Sequence, residues 1–423
     1  MATTEKVPSL FSHQAFRRVF MAAAASLVGV EIAFVALPLV AISALNASPG
    51  QVAVIGVLDT MAFLLIGLPA GAWLDRTRRR WVMVVADLGR ALLMASIPVA
   101  WLMGVLTIWQ LFAVALLTGV GRVFFDVASL SYLPTAVGRE RLVQANSYLQ
   151  SWDAGATVAG PSLGGFLVQV AAAPIAIAVT ATTYLWSALC LFGIRVKEPE
   201  PERRADRHLA REVGEGVSFV LRHRLLRPIA LQGAVTNLFL MVGIISIPLV
   251  FTRLLHLNAG DIGIFFTFGG VGILIGSSMA RRVADRIGYG PSLWLAGLAG
   301  APLCLLVPLV QRGVWQWVTY VCWLAVTLRI GMNNVVLVSF RQRITPDRLL
   351  GRMNATMRFL MTGSLALGAG VAGLVGQFAG VRAALWVSVI GLTVAWLPVY
   401  FSPLRWMREL PSEEEGSDVR SDD

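Results

Sequence analysis

A few ionisable and amide side chains sit inside long apolar runs, where charge is costly and is kept for function. Glu31 lies about midway along the run 18–44, Arg122 at a similar depth in 109–133, and Arg329 in 315–338. Asp59 occupies the outer part of 51–74, while Asn237, Asn333 and Asn334 add polar groups to 227–251 and 315–338. A carboxyl withdrawn from water favours its neutral form, and a nearby guanidinium pulls the other way. Those opposing forces suit Glu31 to exchange a proton near neutral pH. Arg122 keeps its charge and serves to pair with, or tune, an acid. The competing account is that Glu31 and Arg122 form a structural ion pair and nothing more. Asp87 and Arg90, three residues apart near the inner end of the run 81–103, share a helix face and read as a structural pair. Phosphate loops, zinc spacings and nucleophile elbows are missing from the sequence. The expected chemistry is therefore proton and solute binding with no enzyme reaction and no cofactor, driven by an ion or substrate gradient.

The elements that position these groups are membrane spans. The chain has 423 residues, of which 57% are hydrophobic and 14% charged, with a mean hydropathy of +0.71. No soluble globular domain has that composition. Runs of about 20 apolar residues cross a bilayer as helices. Twelve can be read, at 18–44, 51–74, 81–103, 109–133, 148–171, 174–194, 227–251, 260–281, 291–311, 315–338, 354–378 and 381–402. A net charge of +11 would suggest nucleic acid in a soluble protein, but here the basic residues crowd the loops on one side. The opposite side holds only Arg253 and Arg312 in its loops and Arg382 at the start of the last run, so both termini are expected in the cytoplasm of a plasma-membrane protein. Cys190, Cys304 and Cys322 fall in apolar runs without disulfide or metal spacing and read as packing residues.

The expected fold class is all-α and polytopic, with twelve transmembrane helices in two pseudo-symmetric six-helix bundles. The first bundle covers 1–194 and the second 227–402. Between them, 195–226 is a Pro- and Glu-rich cytoplasmic linker followed by an amphipathic helix at 209–221, and 403–423 is an acidic tail. The two halves repeat: Leu37-Pro38-Leu39-Val40 returns as Ile247-Pro248-Leu249-Val250, and Leu45-Asn46-Ala47 as Leu257-Asn258-Ala259. Arg122 matches Arg329, and Gly155, Gly160 and Gly165 match Gly363, Gly368 and Gly373. Such six-plus-six repeats are how secondary transporters are built.

Between the second and third runs stands Gly71-Ala-Trp-Leu-Asp75-Arg76-Thr-Arg78-Arg79-Arg80. Gly71 permits close helix approach, Asp75 suits a helix N-terminus, and the arginines suit lipid phosphate at the surface. The stretch resembles the Gly-x-x-x-Asp-Arg-x-Gly-Arg-Arg hairpin of the major facilitator superfamily, except that Arg78 replaces the second glycine. The resemblance implies the major facilitator fold, with Gly71, Asp75, Arg76 and Arg79 in a state-dependent cytoplasmic latch that Asp126 joins. It also implies that the first, fourth, seventh and tenth helices line a central cavity, and the candidates above fall on all four. The run Gly155-Ala-Thr-Val-Ala-Gly160-Pro161-Ser-Leu-Gly164-Gly165 is a hinge by its glycines and proline. Its spacing resembles the antiporter motif of drug-efflux branches. Phe124-Phe-Asp126-Val-Ala and Arg341-Gln-Arg-Ile-Thr-Pro346-Asp-Arg-Leu-Leu-Gly351-Arg resemble exporters of the macrolide-efflux and enterobactin-export type.

Together these readings lead to a proton-coupled exporter of small amphipathic molecules such as antibiotics, drugs or siderophores. An apolar cavity with few charges suits bulky lipophilic solutes. Membrane lipid is the other expected partner, nucleic acid is not one, and the chain is expected to work as a monomer. The alternatives within the same fold are a lysophospholipid flippase, an importer and a transport-inactive sensor.

Overall fold

The computed structural model describes residues 10–74, 77–138, 141–194, 217–345 and 347–409. All twelve expected runs are helices long and apolar enough to cross a membrane. In chain order they are α1 (Gln14–Leu45), α2 (Pro49–Leu74), α3 (Arg79–Leu102), α4 (Ile108–Val137), α5 (Leu142–Ala171) and α6 (Ala173–Phe192). After them come α7 (Leu226–Leu249), α8 (Ala259–Ile287), α9 (Tyr289–Leu306), α10 (Val314–Arg343), α11 (Asp347–Phe378) and α12 (Val381–Val394). Several outrun the apolar segments: α8, α10 and α11 carry their polar, Arg-bearing ends on as further helical turns. A helix that has already nucleated adds residues cheaply, so it does not stop where hydrophobicity does.

Two helix starts are written locally. Ser48 accepts from the Gln51 amide at 3.3 Å while its own amide donates to Gln51 Oε1 at 2.8 Å, with Pro49 first in α2. That is a reciprocal cap with proline where its missing donor costs nothing. Asn258 and Asp261 repeat the device at α8. Just before it, the chain leaves α7 through a π-helical stretch, Val250–Leu254, which follows Pro248. Between α8 and α9 a single residue turns the chain. Gly288 has φ +97°, and a Cβ there would stand 3.0 Å from the Arg408 backbone, so no other residue fits easily.

The chain divides into two compact units, one of residues 1–45 and 65–205, the other of 46–64 and 206–423. In the first, α1 packs on α5 and α6, and α3 on α4 and α6. The second repeats these pairs six helices on: α7 on α11 and α12, and α9 on α10 and α12. Buried Phe16, Met83, Phe125, Tyr132 and Leu191 knit one end of the first unit, and Leu226, Met332, Phe340, Met357 and Leu404 the second. The first part of α2 belongs to the second unit, where Gly56 lies against Ile245 of α7. One close helix approach in the second unit is α8 on α10. Gly272 and Gly276 meet the Leu324 and Leu328 carbonyls there, a contact that tolerates no side chain. The linker over 195–216, Asp75, Arg76, Pro346 and the acidic tail from 410 lie outside the described residues. The part of the expected 209–221 helix that is described, 217–221, is helical.

Candidate proton and substrate site

Glu31 of α1 is half-buried and sits on α5. Its seat is Gly160: a methyl group there would overlap Glu31 Cβ outright and stand 2.9 Å from Cγ. One turn on, Gly164 brings the α5 backbone against Ile32, where a Cβ would lie 3.1 Å from the carbonyl oxygen. The Glu31 carboxyl shares a hydrogen bond with the Thr157 hydroxyl and feels the charges of Arg122 and Asp153. Pro161 has no N–H to offer the Thr157 carbonyl four residues back, so the residue that meets Glu31 also carries a carbonyl lacking its helical donor. Gly155 has another surrounding. It is exposed, and nothing lies within 4 Å of a Cβ built on it. The glycine–proline run therefore has a packed part, Gly160 to Gly165, and an open one.

Arg122 reaches Asp126 across one turn of α4 at 3.9 Å, with side chains 47% and 42% exposed. Such accessibility makes this a loose, solvated pair, worth well under about 1 kcal/mol on its own. The guanidinium also interacts with Glu31 and Asp153, so one cation stands among three carboxyls. Asp153 was not among the sequence candidates, because it lies near the start of its run and reads as interfacial. The signal was there: Asp153, Thr157 and Gly160, spaced by four and three, lie along one face of α5.

Asp87 and Arg90 lie in the first half of α3. They pair at 2.9 Å and are essentially inaccessible. Arg90 also donates to Ser26 Oγ at 2.9 Å and lies over the Tyr184 ring at 3.8 Å, which ties α3 to α1 and α6. At the α2–α3 turn, Arg79 donates to the Ser131 carbonyl of α4 at 2.7 Å. Arg80 donates to the Leu191 and Phe192 carbonyls at 3.0 and 2.6 Å. The last of these cap the C-terminus of α6, a position that favours a cation. Gly71 lies within α2. Asp126, expected beside these arginines, is engaged with Arg122.

The other candidates belong to the second unit. Asn237 donates to the Gly233 carbonyl of its own helix at 3.0 Å. Arg329 is 3% exposed, runs past Gly300 of α9 and donates to the Leu392 carbonyl of α12 at 3.2 Å. It thus points into the interior of its own unit. Asn333 is buried, with an Oδ1 that has no partner among the described residues, whereas Asn334 is exposed. Asp59 is exposed, one turn from Phe63, over whose ring Arg358 lies at 4.5 Å.

Twelve membrane-length helices in a six-plus-six repeat of packing pairs define a multi-pass membrane protein of the transporter type. The chain belongs to the Major Facilitator Superfamily, whose family model matches residues 19–362. Among curated proteins it is similar to the enterobactin exporter EntS of Citrobacter koseri, 26% identical over 96% of this chain and 97% of that one. The multidrug efflux pump Tap of Mycolicibacterium fortuitum is 28% identical over 78% of this chain and 80% of that protein. Among solved structures, a bacterial homologue of the iron transporter ferroportin, in an inward-facing state, aligns with a TM-score of 0.72 at 17% identity. That match covers 93% of this chain and 99% of the other. The nucleoside transporter NupG aligns with a TM-score of 0.73 at 10% identity, covering 91% and 97%. These two likenesses concern the fold alone.

Proposed function

We propose that the chain is a proton-coupled exporter of small amphipathic molecules that works by alternating access, with Glu31 as the proton carrier. The observation that carries this reading is the seat of Glu31 on Gly160, within the glycine–proline run and beside Arg122. A bend or twist of α5 about Pro161 moves the surface on which the carboxyl rests. Proton occupancy and helix conformation are then linked through one contact. The similarity to an enterobactin exporter and a multidrug efflux pump supports export as the direction. The energy source is the proton gradient, with no cofactor, and one chain suffices. The protein resides in the plasma membrane with both termini in the cytoplasm, in keeping with the basic residues of the α2–α3 turn. Gly71, Asp75, Arg76 and Arg79, with Asp126, serve the cytoplasmic gate, while Asp59, Asn237, Arg329, Asn333 and Asn334 contribute to solute binding or its support.

The test is Glu31→Gln in reconstituted vesicles with an imposed pH gradient. The amide keeps the shape of the acid and cannot ionise. Export driven by the pH gradient is expected to vanish, while exchange of solute down its own gradient survives. A Gln variant that concentrates solute as well as the parent would place the coupling proton elsewhere.

A further inference from the structure

Arg78 is the residue that departs from the hairpin pattern, and its surroundings give it a role. Of the three consecutive arginines at the start of α3, Arg79 and Arg80 are committed to carbonyls of α4 and α6. Arg78 is exposed and its side chain has no partner among the described residues. It stands at the mouth of a cavity of about 530 Å³ formed by the end of α2 with α3 and α4. Below the mouth the walls are almost wholly apolar, with Val82, Val85 and Leu93 on one side and Leu117 and Phe124 on the other. Arg90 also borders the cavity, but its charge is already matched by Asp87. Val85 and Leu117 are 65% and 47% exposed, so the cavity is an open groove on an apolar flank. Trp73 and Trp81, both partly exposed, frame the mouth where amphipathic rings favour the headgroup level.

We propose that this groove binds an anionic phospholipid, its phosphate on Arg78 and one acyl chain lying between α3 and α4. Length decides for a chain from one leaflet. From Val82 to Leu93 the helix rises about 16 Å, against roughly 15 Å for half of a bilayer's ~30 Å hydrocarbon core. Charge decides the headgroup, because among the described residues the uncommitted charged group at the mouth is a guanidinium, which grips phosphate through paired donors. The floor supplies room. A Cβ built on Gly89 meets nothing within 4 Å, so the missing side chain leaves the space that the chain fills. This site is independent of the direction of transport and of Glu31.

Native mass spectrometry of the detergent-purified protein tests the site, with phosphatidylglycerol and phosphatidylcholine of identical chains added in turn. A single basic residue near the surface is worth about 1 kcal/mol toward an anionic lipid, so the parent should retain phosphatidylglycerol about fivefold better. Arg78→Gln should bring the two lipids level. Gly89→Leu should remove both, since it fills the groove, and leucine is the better helix former, so folding survives. Equal retention of both lipids by the parent, or a preference that survives Arg78→Gln, would overturn the headgroup assignment. Parent-like retention by Gly89→Leu would overturn the groove.

Discussion

Replacing Gly160 by alanine tests the link between α5 and the proton carrier most directly. The new methyl would overlap Glu31 Cβ and stand 2.9 Å from Cγ. Carbon atoms settle at 3.5–4.0 Å, so α1 must retreat by on the order of 1 Å or the Glu31 side chain must leave its seat. Overpacking of this kind costs about 1–3 kcal/mol, which exceeds the gain of up to about 1 kcal/mol from alanine's helix propensity. Either response breaks the contact with Thr157. At 1.4 kcal/mol per factor of ten, pH-driven export is expected to fall about tenfold. Gly155→Ala is the internal control, because it enters open space in the same run and should leave export unchanged. Export by reconstituted protein under a fixed pH gradient, with thermal unfolding measured alongside, provides the assay. Equal export by the two alanine variants would refute the idea that Gly160 is a seat for Glu31.

Two further outcomes follow from groups outside that contact. Arg90→Met strands Asp87 in the interior of the first unit, and losing one partner of a buried pair costs about 3–5 kcal/mol. A sharp drop in unfolding temperature is expected, partly restored in the double variant Asp87→Leu/Arg90→Met; unchanged unfolding of the single variant would show that the pair stabilises nothing. His223, just ahead of α7, accepts from the Leu225 and Leu226 amides at 3.2 and 3.3 Å through Nδ1, which requires the neutral ring. Burial pushes its pKa below the ordinary 6.5. A lowered histidine pKa gives stability that is present above pH 6.5 and is lost as pH falls through the folded value. The unfolding temperature should therefore drop between pH 8 and pH 5 by more in the parent than in His223→Asn, and equal drops would remove the histidine from the account.

Hydrophobicity and charge placement were enough to read the architecture. A membrane span must satisfy its own backbone and face lipid over about 20 residues, so the twelve runs leave a signal that survives without any neighbour. The pairing of Asp87 with Arg90 at a spacing of three was equally local. The repeat was legible because the same backbone contacts ask for the same small residues six helices on, and the packing pairs follow that order.

What the sequence left undecided is which residues meet. Glu31 and Gly160 are separated by four helices' worth of chain, and no spacing rule connects them. Only the crossing of α1 on α5 makes one glycine a seat and leaves Gly155 open. Asp153 joined Arg122 for the same reason. Arg329, the sequence mate of Arg122, turned into the interior of its unit because Gly300 leaves room for its stem there. Pattern places a residue on a helix face; the packing of that face against another helix decides its partner, since close contact depends on crossing position and side-chain volume together.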